Sequence, residues 1–168
     1  MATITLKGKT IHSVGNLPEV GSKAKDFDLI TANMNRVTLK DYKGKKLLLN
    51  IFPSVDTGTC AMSVRKFNEM AAKMENTVVL CVSKDLPFAF KRFCGTENIQ
   101  NVQAASDFRS GEFGKAYGVT LTDDSPMEGL LARAIVIIDE EGKVIYTELV
   151  PEIVDEPDYE KALDALKE

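Results

Sequence analysis

Two short apolar runs, KLLLNIF (46–52) and TVVLCV (77–82), bracket a segment whose apolar residues recur at helical spacing. Each run is too short for a core helix and too continuously apolar for a strand with one wet face. Both therefore read as central strands covered on two sides. Between them Val64, Phe67, Ala71 and Met74 form one stripe of a helix over Cys60–Met74, with Arg65, Lys66, Asn68 and Glu69 mostly off it. Strand, helix, strand at this length is a βαβ unit, which requires parallel pairing and a right-handed crossover. All-helical and all-antiparallel folds are excluded at once.

The rest of the chain attaches to this unit. TITLKGKTIHSV reads as an N-terminal hairpin turning at Lys7-Gly8-Lys9. A short strand is expected at Phe27–Ile30, a turn at Asn33–Asn35, and another short segment before a turn at Gly44. SKDLPFAFKRFCG reads as a short helix with Asp85 as N-cap, Pro87 in its first turn and Gly95 just past its end. SGEFGKAYG is a further short helix. RAIVIIDEEGKVIYTELV is two strands around Glu140-Glu141-Gly142, and PDYEKALDALKE closes the chain as an amphipathic helix. With no linker, repeat or low-complexity stretch, residues 1–168 read as one α/β domain. Its mixed sheet, parallel in the middle and ending in an antiparallel hairpin with a final helix, is a thioredoxin-like arrangement.

Composition narrows the partners. The net charge of −4 and the absence of any basic cluster argue against nucleic acid and anionic membrane. No apolar run approaches the roughly 20 residues of a membrane helix, and the N-terminus lacks a signal-peptide pattern. A cytoplasmic, reducing location is the expectation. There, three cysteines do not suggest a structural disulfide framework, and an odd count raises the question of a reactive thiol.

The three thiols differ in setting. Cys60 lies in the first turn of its helix, at the C-terminal end of a central strand. Unpaired N–H groups and the helix dipole there favour an anion, and the thiolate is the nucleophilic form. Gly58 allows close backbone approach, and Thr57 and Thr59 offer hydroxyls beside the sulfur. Cys81, in VVLCV, reads as an inert buried hydrophobe. Cys94, in the last turn of a short helix, is a poor spontaneous nucleophile. It is either a core residue beside Phe90 and Phe93 or a second thiol exposed when the helix end frays, and helical spacing leaves both open. The single histidine, His12, reads as a surface residue, Asp56 as a cap or turn residue, and zinc is not expected from the cysteine spacing. Arg133 reads as a strand-end charge, or as a cation beside the thiolate if it points to the sheet end that carries Cys60.

Pro53, Thr57 and Cys60 form P-x-x-x-T-x-x-C, which resembles the active-site motif of the peroxiredoxins. NIFPSVDTGTCAMSVRKFN, DLPFAFKRFCG, LLARAIVIID and EPDYEKALDALK extend the likeness to the thiol peroxidase branch, a group of atypical two-cysteine enzymes, over essentially the whole chain. The resemblance implies a peroxidatic Cys60, a resolving Cys94 in the same subunit and an Arg133 that holds the thiolate. It also implies a Thr57 bonded to sulfur and peroxide, and a Pro53 that shields the site from water. It further implies a homodimer, no metal or organic cofactor, hydroperoxide substrates and thioredoxin as reductant. Two rivals share the fold. A disulfide oxidoreductase would show C-x-x-C, whereas Cys60 is followed by Ala61-Met62-Ser63. A non-enzymatic binding module would leave Cys60 unreactive toward peroxide.

Overall fold

Among the described residues seven strands form one mixed sheet, and a two-stranded hairpin stands outside it. The computed structural model describes residues 1–122 and 125–167. The hairpin pairs β1 (Thr3–Leu6) with β2 (Lys9–His12) through a tight Lys7-Gly8 turn, both residues left-handed (φ 50° and 83°), as a two-residue hairpin requires. The sheet contains β3 (Asp28–Thr31), β4 (Arg36–Thr38), β5 (Lys46–Ile51), β6 (Thr77–Ser83), β7 (Gln103–Ser106), β8 (Ala134–Ile138) and β9 (Val144–Leu149). Their spatial order is β4-β3-β7-β6-β5-β8-β9. Strands β5, β6 and β7 run parallel; the outer pairings are antiparallel.

Among the described residues four α-helices complete the fold: α1 (Gly58–Ala71), α2 (Pro87–Thr96), α3 (Glu112–Ala116) and α4 (Tyr159–Leu166). Alternation along the strands separates two cores. Leu47, Leu49, Ile51, Leu80, Val82 and Val136 face the layer made by the hairpin and α3. Leu48, Val79, Cys81, Ile135 and Ile137 face α1, α2 and α4. Both faces of β5 are therefore apolar, which is why its sequence shows no alternation.

The βαβ unit, the N-terminal hairpin, the β8–β9 hairpin and the closing helix stand where the sequence puts them; Glu168, in the last expected segment, lies outside the described residues. Several details differ. The 27–30 strand is shifted one residue, and α1 begins at Gly58 and stops at Ala71. Strand β7 is unforeseen, because QAAS carries no β-branched residue; its pairing with β6 and β3 is imposed by the sheet. Helix α2 is capped differently at both ends. Leu86, not Asp85, is its N-cap residue, with Pro87 at the first helical position. Gly95 lies inside the helix, and Asn98 supplies the left-handed residue (φ 53°) that ends it. Ile99 N–H donates to Cys94 O and Asn98 N–H to Gly95 O, closing a Schellman motif for which Asn serves in place of Gly.

Gly118 is a second place where backbone freedom matters. Its φ is 70°, and a Cβ there would lie 2.3 Å from Asn16 O. Gly118→Ala is expected to destabilise the fold by about 3 kcal/mol or more, combining backbone strain with a clash against main chain. Thermal unfolding of the variant checks this, and an unchanged midpoint contradicts it.

Candidate active site

The site lies where β5 ends. Pro53 is buried in the turn after Phe52, and Thr57 begins α1 as its N-cap, a role the sequence reading had offered to Asp56. Cys60 N–H donates to Thr57 Oγ1 at 3.4 Å, and Thr57 Oγ1 donates to Ser54 O at 3.2 Å. Such a cap stabilises a helix by about 1 kcal/mol. It also engages the Thr57 hydroxyl, which the resemblance assigns to sulfur and peroxide. The Cys60 amide is engaged by Thr57, and the Thr57 hydroxyl hydrogen goes to a carbonyl rather than to sulfur. Thr59 likewise does not serve the sulfur, since its hydroxyl donates to Val154 O at 2.8 Å.

Arg133 is the group that meets the thiol. Ile51 pairs with Ala134 across β5 and β8, so the residue before β8 stands at the Cys60 end of the sheet. Arg133 also shares the parity of Ile135 and Ile137, whose side chains face α1. The result is a buried Arg133, only 2% exposed, with Nη2 3.2 Å from Cys60 Sγ and Nε donating to Ile153 O at 2.8 Å. Its Nη1 is buried and has no hydrogen-bond partner among the described residues. A buried donor left unpaired is costly and calls for an acceptor. Cys60 itself is fully buried, in one apolar cluster with Phe52, Val55 and Val64. Met62, two residues after Cys60, is partly exposed.

The other thiols are free and differently placed. Cys81 is fully buried, and loss of solvation pushes its pKa up to about 12, which leaves it protonated at neutral pH. Cys94 is half-buried in the last turn of α2, and burial raises its thiol as well. Phe90 and Phe93 anchor that helix in the core, whereas Phe88 does not: it is 67% exposed.

Three ties join α2 to the Cys60 region. Asp85 accepts from Ser54 Oγ (2.7 Å) and Val55 N–H (2.9 Å). Arg92 pairs with Asp56 at 3.0 Å, and Arg65 pairs with Glu97. Beneath α1, buried Asn50 donates to Ser63 Oγ at 3.2 Å, and Ser63 Oγ donates to Cys60 O at 2.8 Å. The sequence holds a signal for Asn50, a polar residue in the middle of an apolar strand, which must find a buried partner. It holds none for the Ile153 and Val154 carbonyls. A cavity of about 760 Å³ lies at the opposite end of the sheet, between Tyr42, Leu47 and Ile138, away from this chemistry.

Comparison with known proteins supplies the family. Residues 19–163 match the Redoxin family model. The chain is 55% identical to a thiol peroxidase of Corynebacterium glutamicum and 59% identical to one of Mycobacterium tuberculosis, in each case over 99% of both chains. The chain belongs to the thiol peroxidase branch of the peroxiredoxins. Among solved peroxiredoxin structures, a peroxiredoxin-like protein from Aquifex aeolicus superposes with a TM-score of 0.93 at 42% identity, covering 99% of this chain and 96% of that one. A thiol peroxidase from Chromobacterium violaceum, at 20% identity, has the same fold, with a TM-score of 0.90 over 98% and 95% of the two chains. The thioredoxin-like arrangement expected of a peroxiredoxin is thus the one observed, and the chain is an enzyme of the thiol-dependent peroxidase type.

Proposed function

We propose that this peroxidase reduces hydrogen peroxide and alkyl hydroperoxides at Cys60, resolves the product with Cys94 of the same subunit, and is recycled by thioredoxin. The observation that carries the reading is Arg133, which bonds the Cys60 sulfur with one nitrogen and keeps a second, unpaired donor buried beside it. The Cys60 thiolate attacks one peroxide oxygen. An S–O bond forms, the O–O bond breaks, and the second oxygen leaves as an alkoxide or hydroxide that takes up a proton. Arg133 lowers the barrier by facing both the sulfur and the negative charge that develops on oxygen. Pro53, with no N–H of its own, and the cap at Thr57 fix the turn that aims the sulfur.

The product is a sulfenic acid on Cys60. Cys94 attacks its sulfur, an S–S bond forms and water leaves, which ends the route to sulfinic acid. While α2 is folded, burial holds Cys94 in its unreactive protonated form. Unwinding the helix removes that burial and delivers the thiol. A ten-residue helix has little stability of its own, and its exposed Arg92–Asp56 pair adds at most about 1 kcal/mol. Thioredoxin then reduces the disulfide by thiol exchange.

Consumption of peroxide with thioredoxin and its reductase tests the whole reading, and no consumption refutes it. Mass spectrometry of peroxide-treated protein is expected to find Cys60 joined to Cys94 in non-reduced monomer; a Cys60–Cys81 link or a covalent dimer as the main product contradicts the resolving role. Amide hydrogen exchange over residues 85–95 is expected to be faster in the oxidised than in the reduced protein, and equal protection means that α2 does not open. Exposed Leu86 and Phe88, at the start of α2, support a homodimer, which sedimentation checks. A cytoplasmic location suits thioredoxin recycling and three free thiols, and no helix among the described residues is long and apolar enough to cross a membrane.

A further inference from the structure

The N-terminal hairpin lies outside the main sheet, yet it is bonded to the segment that holds the active-site arginine. Four donors converge on the carboxylate of Glu152. Thr5 Oγ1 and Gly8 N–H reach Oε1 at 3.0 and 2.8 Å, and Lys7 N–H and Val154 N–H reach Oε2 at 3.0 and 3.2 Å. The backbone adds Thr5 N–H to Pro151 O at 2.8 Å and Ile153 N–H to Thr5 O at 2.9 Å. The turn of the hairpin is thereby clamped to residues 151–154. Two carbonyls of that same segment face the site: Ile153 O accepts from Arg133 Nε, and Val154 O accepts from Thr59 Oγ1, one residue before Cys60. Nothing in the peroxidase chemistry itself uses Glu152.

We propose that Glu152 is a positioning residue for peroxide reduction, acting through Arg133 by fixing the Ile153 carbonyl against the guanidinium. The inference rests on the assignment of Cys60 and Arg133 above. A carboxylate that receives main-chain donors from two separate segments binds them more tightly than a neutral acceptor does. A guanidinium held by Nε has its plane set, and Nη1 and Nη2 follow as a rigid fork. If the 151–154 segment drifts, Arg133 keeps its charge but loses its aim.

The test is a double-mutant cycle read as the rate of Cys60 oxidation by peroxide, in a Cys94→Ser background so that only the first step is seen. Glu152→Ala is expected to slow oxidation about 10-fold, the effect of loosening one charge-assisted hydrogen bond. Added to Arg133→Met it is expected to change the rate by less than about twofold, because the two act as one unit. Alkylation of Cys60 by iodoacetamide should show the same pattern. A merely structural Glu152 would slow both backgrounds alike, and multiplying effects overturn the proposal. An unchanged rate in Glu152→Ala also overturns it while leaving the reading of the site intact. An unchanged rate in Arg133→Met overturns both. If Glu152→Ala does not fold, Glu152→Gln serves: it keeps the shape but removes the charge and sets an amide N–H₂ against at least one main-chain N–H that the carboxylate accepts, that of Gly8 if the N–H₂ turns to Thr5 Oγ1, and the same loss is expected.

Discussion

Cys60→Ser protein is expected to consume no peroxide above background, while Cys81→Ser keeps most of the wild-type rate. A serine hydroxyl at Cys60 stays protonated at neutral pH, and the side chain bonded to that position, Arg133, is a donor that cannot accept a proton and activate it. The loss is therefore one of chemistry and leaves the fold in place. Cys81→Ser has the opposite profile. Cys81 is fully buried beside Asn50, whose Nδ2 lies 3.7 Å from its sulfur, so a hydroxyl there costs about 1–3 kcal/mol of stability and little of the reaction. Coupled consumption of peroxide and thermal unfolding measure the two quantities separately. Normal turnover by Cys60→Ser would remove Cys60 from the mechanism.

Arg133→Met is expected to slow oxidation of Cys60 about 10–150-fold, the range of one charge-assisted hydrogen bond of about 1.5–3 kcal/mol. Methionine fills much of the same volume but supplies no donor to sulfur or to the peroxide oxygens. Arg133→Lys is expected to recover only part of the rate. Its single ammonium cannot hold Ile153 O and face Cys60 Sγ with the fixed fork that guanidinium provides. Stopped-flow oxidation by hydrogen peroxide at neutral pH measures both variants. A rate within twofold of wild type in Arg133→Met would reduce Arg133 to a structural strand-end residue.

Much of this is legible in the sequence because it is local. Apolar runs with a helical stripe between them announce β5, α1 and β6, and the spacing of Pro53, Thr57 and Cys60 marks the turn that joins strand to helix. What is not legible depends on distant pairing. Arg133 and Cys60 are 73 positions apart, and only the β5–β8 register brings them together. Asp85 looks like a helix cap because it stands just before Pro87, yet its carboxylate is taken by Ser54 and Val55, thirty residues away. Phe88 looks like its aromatic neighbours in sequence and differs from them only in the side of α2 it occupies. The hydroxyls of Thr57 and Thr59 suggest a polar cradle for sulfur, but nearby carbonyls claim both.

The long separation between Cys60 and Arg133 also orders events in time. Chains emerge from the ribosome at about 5–20 residues per second, so the 73 positions between the two take about 4–15 s to synthesise. The strand-turn-helix unit that carries the thiol is complete early in that interval, without its cation. Ile153, which holds the cation, follows later still. On the roles proposed above for Cys60 and Arg133, a growing chain carries the thiol before it carries the cation, and the oxidant-seeking site is assembled only when the last quarter of the polypeptide docks.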